Sequence, residues 1–346
     1  MVTISDIAKE ANVSVGTVDR VLHNREGVSK KTAKKVKAII KKHNFKTNKI
    51  ASSLALNKKL KITTLIPQSN ADNTFWKAPL MGTQSAQEEV EKFGITVNNF
   101  SFDQFDASSY LNTFETLMQS NPDGVVIAPI FIKETHQITK TLDDNNIPYV
   151  FINVELEGFN NISFIGQDAF KAGLLAGKLM HLCLKDDYSI LIIHTRLNVD
   201  NHQAISERIH GFNDYFLNNR LPIKSSIANI IDLNNTEQLK KDLKLILEEN
   251  PSINGVYVPS SRISVFANCL NNITSKELAL IGFDNTEQNI KCLNEDKVSF
   301  LISQQPFIQG HKSITLMTNY LIEKKTPEQK IYSPIEILTK ENVNFS

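Results

Sequence analysis

Seven residues spread over two hundred positions could together grip a small polar molecule: Asn73, Phe75, Trp76, Asn153, Arg208, Asp284 and Gln305. Phe75 and Trp76 offer flat apolar faces, and the amide, guanidinium and carboxylate groups supply fixed donors and acceptors. That combination suits a sugar ring, apolar above and below and hydroxylated at its edge. Each residue also has a plainer reading: Trp76 as core, Asp284 as a helix cap near Thr286, Arg208 as a surface partner of Glu207. It is their shared position at strand ends that favours ligand contact.

Catalytic patterns are missing. The sequence has no G-x-S-x-G, H-E-x-x-H or G-x-G-x-x-G. "GLLAGK" at 173–178 has its glycines one residue too close for a phosphate loop and lies inside a helical pattern. The eight histidines show no metal spacing; His202 and His210 read as flanks of a helix. Cys183, Cys269 and Cys292 are far apart and odd in number, which argues against a disulfide framework or zinc site. No enzyme, cofactor or metal is therefore expected.

A second group lies near the amino terminus. In "NVSVGTVDRVLHNR" (12–25), Val18, Val21 and Leu22 recur at i, i+3 and i+4, one apolar face of a helix capped by Ser14. The opposite face carries Val15, Gly16, Asp19, Arg20 and His23. Thr3 and Asp6 fit a capping box for a helix from Ile4 to Ala11, with Ile7, Ala8 and Ala11 inward, and Asn12 tolerates the left-handed turn that follows. Ser29 caps a third helix, with Val36, Ile39 and Ile40 inward and lysines outward. Three short helices with a tight turn between the first two form a helix-turn-helix unit, whose second helix enters a DNA major groove.

Charge supports that reading. The first 60 residues hold 14 Lys or Arg against 4 Asp or Glu, whereas the rest holds 24 against 33, so a net of +1 conceals a basic head on an acidic body. Such a head binds polyanions through counterion release. Small three-helix bundles also serve as interaction modules; the basic excess is what counts against that alternative.

Behind the head, short apolar runs alternate with helical segments: "ITTLIP" at 62, "GVVIAP" at 124, "PYVFIN" at 148, "SILIIH" at 189, "GVYVP" at 255, "LALIGF" at 278 and "VSFLIS" at 298. Continuous apolar strands separated by helices imply parallel sheets covered on both faces, and ligands of such sheets bind beyond the carboxyl ends of the strands. The spacing predicts two lobes, 61–163 with 303–325 and 164–300 with the carboxyl-terminal segment. With 346 residues, two or three folding units are expected.

The stretch "VTISDIAKEANVSVGTVDRVLHNREGVSKKTAKKVKAIIKKHNFKTNKIASSLA" resembles the head of the lactose/galactose repressor family. The resemblance implies that Val15, Gly16 and Arg20 read bases, that Ser14, Thr17, Ser29, Thr32 and Asn48 touch phosphates, and that residues 48–60 form a hinge helix whose Leu54 wedges into the minor groove. Asp19 stands where the family usually has a small hydroxyl residue, and Thr47 replaces a frequent proline. The segments "NTFWKAPLMGTQSAQEE", "FIGQDAFKAGLLAGKLM", "ISERIHGF", "LIGFDN" and "SQQPFIQGHKS" are similar to the type I periplasmic sugar-binding fold of that family's sensor half. They imply that Asn73, Phe75, Trp76, Asn153, Arg208, Asp284 and Gln305 line its pocket. "VPSSRI" at 258 departs from a frequent Asn-Asp pair, leaving Ser260 and Ser261 as weaker candidates.

The expected architecture is a small all-α helix-turn-helix head (1–47), a hinge segment (48–60) and an α/β two-lobed, type I periplasmic-binding-protein-like domain (61–346) of parallel sheets flanked by helices. The expected function is a ligand-responsive regulator that binds a pseudo-palindromic double-stranded DNA operator as a homodimer, with a sugar-like effector. No apolar stretch suits a membrane span or signal peptide, so a cytoplasmic location is expected. An exported solute-binding protein is the rival reading, opposed by the basic head; an enzyme with a DNA-binding head would need an acid, base or nucleophile set that the sequence does not present.

Overall fold

A computed structural model describes residues 2–22, 26–43, 45, 59–70, 74–184, 187–195, 203–230, 232–233 and 235–345. The first three helices are α1 (Ile4–Ala11), α2 (Val15–Leu22) and α3 (Lys30–Lys42). The capping box forms as its spacing requires: the Asp6 amide donates to Thr3 Oγ1 at 3.2 Å, and the Thr3 amide donates to the Asp6 carboxylate at 2.9 Å. Asn12 ends α1 at φ 54, in the left-handed region. Ile7, Ala8, Ala11, Val18, Val21, Val36 and Ile39 form the buried centre. Glu10 joins α1 to the end of α3 through Lys42 at 2.8 Å and His43 at 2.5 Å.

The body is two six-stranded sheets. The first lobe contains β1 (Leu60–Pro67), α4 (Lys77–Val90), β2 (Ile95–Phe102), α5 (Ala107–Gln119), β3 (Gly124–Ile127), α6 (Ile132–Asp144), β4 (Tyr149–Ile152) and β5 (Ser163–Gly166). The second contains α7 (Ala169–Cys183), β6 (Tyr188–His194), α8 (Gln203–Asn218), β7 (Ile223–Asn229), α9 (Thr236–Glu249), β8 (Gly255–Tyr257), α10 (Ile263–Ile273), β9 (Ala279–Phe283), α11 (Glu287–Asn294) and β10 (Phe300–Ser303). The chain then returns as α12 (Pro306–Glu323) and β11 (Lys330–Tyr332) to the first sheet, and β12 (Glu336–Leu338) finishes in the second.

The sheet orders are β11-β5-β4-β3-β1-β2 and β12-β10-β9-β8-β6-β7, all parallel except the β10–β12 pair. The lobes repeat one plan. In each, two glycines let a returning helix touch a neighbour's backbone: a methyl on Gly82 or Gly310 would collide with the carbonyl of Phe307 or Pro79 across α4 and α12. A methyl on Gly173 or Gly211 would collide with that of Arg208 or Phe170 across α7 and α8.

Among the described residues the chain crosses between lobes three times, at 167–168, 304–305 and 333–335. The crossings are tied together: the Ser333 amide donates to the Gly166 carbonyl at 2.6 Å and Gln167 Nε2 to the Ser303 carbonyl at 3.0 Å. The first lobe thus extends through β5 rather than stopping at 163, and it recovers β11 beyond the expected limit of 325. β11 holds Ile331 between exposed or half-exposed neighbours and gives no apolar run to read. The edge strands β2 and β7 likewise carry no continuous apolar run, because their outer faces are wet: Lys224, Ser225 and Asn229 of β7 are exposed.

Candidate functional site

The carboxyl ends of both sheets face a cleft between the lobes. From the first lobe it is lined by Phe75 and Trp76 before α4, Gln104 and Phe105 after β2, Ile130 after β3, and Asn153 and Val154 after β4. The second contributes Thr195 after β6, Arg208 on α8, Ser260, Ser261 and Arg262 after β8, and Asp284 after β9. Phe75 and Trp76 meet edge to face, ring centroids 5.0 Å apart, and both are buried.

Asn153 and Asp284 hold matching positions. Each follows a central strand with positive φ, 69 and 70 respectively. The Asn153 amide donates to Ile165 of β5 at 3.1 Å, as the Asp284 amide does to Ile302 of β10 at 3.0 Å. The left-handed backbone is uncommon for residues other than glycine, and at a strand end it is what turns these side chains into the cleft. Gln304, on a crossing segment, joins them: Asn153 Nδ2 donates to Gln304 Oε1 at 2.9 Å, and Gln304 Nε2 donates to Asp284 Oδ1 at 2.8 Å.

Arg208 is 5% exposed and Asp284 2% exposed. The guanidinium lies over the Phe283 ring at 3.8 Å and donates through Nη1 to the Pro259 carbonyl at 3.1 Å, while Nε has no partner. Among the described residues no ion pair joins it to Asp284. Burial pulls Arg208 below its usual range; burial also pushes Asp284 up to about 6, against the opposing pull of Arg208 and Gln304. Two buried opposite charges that do not touch leave hydrogen-bonding capacity for a third party.

Five of the seven expected pocket residues are therefore together: Phe75, Trp76, Asn153, Arg208 and Asp284. Asn73 lies outside the described residues. Gln305 does not line the cleft; its neighbour Gln304 does. Gln305 occupies the amino-terminal cap of α12 at φ 53, just before Pro306, and this reversal of the backbone separates the two side chains. Gln304 is the first residue after β10, so the strand boundary was the signal for it. Arg262 and Gln104 also line the cleft; "VPSSRI" marked the first, whereas Gln104 follows the edge strand β2, which no continuous apolar run announces.

In the head, Ser14 Oγ accepts from the Thr17 amide at 3.1 Å and Ser29 Oγ from the Thr32 amide at 3.1 Å, so the four hydroxyl residues named for phosphate contact sit at the starts of α2 and α3. These are helix ends where amides and partial positive charge favour an anion. Val15, Gly16 and Arg20 are exposed on the outer face of α2, Val15 by 50%. Gly27, at φ 92, lies against the Arg20 guanidinium. Lys30, Lys31, Lys34 and Lys35 are exposed on α3. His23, Asn48, Leu54 and nearly all of the expected hinge lie outside the described residues.

Comparison with known proteins agrees with both halves. Residues 64–325 match the periplasmic binding protein domain family, and residues 3–48 match the bacterial regulatory proteins of the lacI family. The chain is similar to a ribose operon repressor of Lactococcus lactis, 23% identical over 99% of this chain and 98% of the relative. It is also similar to a ribose operon repressor of Halalkalibacterium halodurans (26%, covering 99% and 97%) and to catabolite control protein A of Priestia megaterium (23%, covering 95% and 95%). Among solved structures, a Bacteroides fragilis chain described as a LacI transcriptional regulator matches with a TM-score of 0.78 at 28% identity, covering 84% of this chain and all of that one. A glucose-galactose binding protein of Geobacillus stearothermophilus shares the fold (TM-score 0.71, 20% identity, covering 82% and 99%). With its basic helix-turn-helix head and two-lobed sensor body, the chain belongs to the periplasmic binding protein domain family and, through its head, to the lacI family of ligand-responsive, DNA-binding bacterial regulators.

Proposed function

We propose that the protein is a cytoplasmic repressor that binds a pseudo-palindromic operator as a homodimer, under the control of a sugar or sugar derivative held between the lobes. One head presents a single short helix to the bases, too few contacts for specificity; two-fold pairing doubles them. Val15, Gly16 and Arg20 meet base edges, and Ser14, Thr17, Ser29, Thr32 and Asn48 meet phosphates. Leu54 enters the minor groove. In the cleft, Phe75 and Trp76 stack on the apolar ring face while Asn73, Asn153, Arg208, Asp284 and Gln304 address its hydroxyls. Gln305 shapes the turn beside them. The protein acts by binding and not by turnover.

The observation that carries this reading is the buried, unjoined Arg208 and Asp284 beside two aromatic rings in a cleft between two lobes joined by crossing segments of chain. A molecule bridging both lobes there closes the cleft, and it can shift DNA affinity only as far as it binds the open and closed forms unequally. The test is a thermal-shift screen of the full chain against sugars and sugar derivatives, followed by operator selection from random duplexes with and without the hit. A ligand at a hundred times its dissociation constant adds roughly 2.7 kcal/mol. The sign of its effect on DNA affinity separates inducer from corepressor. A shift that survives both Arg208→Ala and Asp284→Ala puts the ligand elsewhere.

A further inference from the structure

The cleft is unevenly charged. Among the described residues that line it, two guanidiniums, Arg208 and Arg262, stand against one carboxylate, Asp284. Arg262 occupies the amino-terminal cap position of α10, an eleven-residue helix, and its own side chain makes no capping hydrogen bond there. Among the first helical amides Val265 already donates to the Arg262 carbonyl at 3.2 Å, and the positive end of the helix dipole lies at this start. Another, Ser264, donates to Asn289 Oδ1 at 3.2 Å. Ser260 and Ser261 add hydroxyls on the approach to the helix, and Ser260 Oγ lies 3.2 Å from Thr195 Oγ1. Independently, Arg208 lines the same cavity while 95% buried and keeps an Nε without a partner. From the opposite lobe, the exposed Phe105 ring lies 5.9 Å below the Arg262 guanidinium, which places that charge across the cleft.

We propose that the effector carries an ionised acidic group, a carboxylate or a phosphate, received at the start of α10 by Arg262, Ser260 and Ser261, with Arg208 supplying the second cation of the cleft. This rests on the cleft being the effector site. A neutral sugar meets the two guanidiniums with dipoles alone, whereas an anion forms charge-assisted hydrogen bonds roughly twice as strong. The positive end of α10 adds to the preference.

Titration calorimetry of the full chain with two matched sets tests this: D-ribose and D-ribose 5-phosphate; D-glucose, D-glucose 6-phosphate and D-gluconate. The expected result is that, in at least one set, a charged member binds about tenfold or more tightly than its neutral parent, a difference of about 1.4 kcal/mol. The phosphate and aldonate arms identify which acid the site takes. Arg262→Met removes that advantage, so that charged and neutral members of a set then bind alike, while Arg262→Lys retains part of it. Neutral members binding as tightly as charged ones in both sets, or an advantage that survives R262M, overturns the inference alone. Binding of none of the five overturns the carbohydrate reading of the cleft, and this inference with it.

Discussion

Asp284 is the residue at which stability and ligand binding most directly oppose each other. Its carboxyl is 2% exposed and its ionisation is raised from 3.8 to about 6, chiefly by burial. Between those two values the native state holds more protons than the unfolded chain, so stability falls as pH rises through the window, and the loss is complete above about pH 7. Each unit is worth 1.36 kcal/mol, so the charged carboxylate costs the empty protein about 3 kcal/mol at pH 7.5, about half that at pH 5 and less than 1 at pH 4. Asp284→Asn removes the charge, keeps an oxygen for Gln304 Nε2, and suits the positive φ at this position. The expected outcome is a ligand-free variant up to about 3 kcal/mol more stable than the parent at pH 7.5, with the gap shrinking on acidification. Urea denaturation of both proteins at pH 7.5, 5 and 4 measures it, with ligand titration at pH 7.5 showing the binding lost in exchange. A variant less stable at pH 7.5, or a gap that does not change with pH, would refute the reasoning, because only the ionised form carries the penalty.

Further outcomes follow from particular contacts. Gly310→Ala drives a methyl into the Pro79 carbonyl at the α4–α12 crossing, and should lower the denaturation free energy of the body by at least about 2 kcal/mol; a near-neutral result would mean the helices can part. Trp76 is the sole tryptophan and lines the cleft, so its emission should shift on effector binding in the parent and not in Arg208→Ala. Ser29→Ala removes the acceptor for the Thr32 amide and should cost the head about 1 kcal/mol, read by its melting followed by circular dichroism. Arg20→Ala should relax base preference, whereas Lys35→Ala should weaken all duplexes alike and reduce the salt slope by about 1; equal losses from both would count against α2 as the reading helix.

Local rules, legible in the residues alone, account for part of this molecule. Thr3, Asp6, Asn12, Ser14 and Ser29 set the helix ends of the head because caps and left-handed turns are decided within four residues. The central strands were legible as unbroken apolar runs, since both faces of a parallel sheet are covered. The strand ends then marked Phe75, Trp76, Asn153 and Asp284, and a helix of the second lobe Arg208, as candidates for one cleft. Tertiary structure decided what depends on partners distant in sequence. β2, β7 and β11 are strands because a neighbour supplies half of their hydrogen bonds, while their half-wet faces carry little pattern of their own. Gln304 rather than Gln305 enters the cleft because the turn into α12 reverses the chain between them. The raised ionisation of Asp284 and the unjoined charge of Arg208 arise only in the assembled fold, since burial and the field of a remote group belong to no single segment.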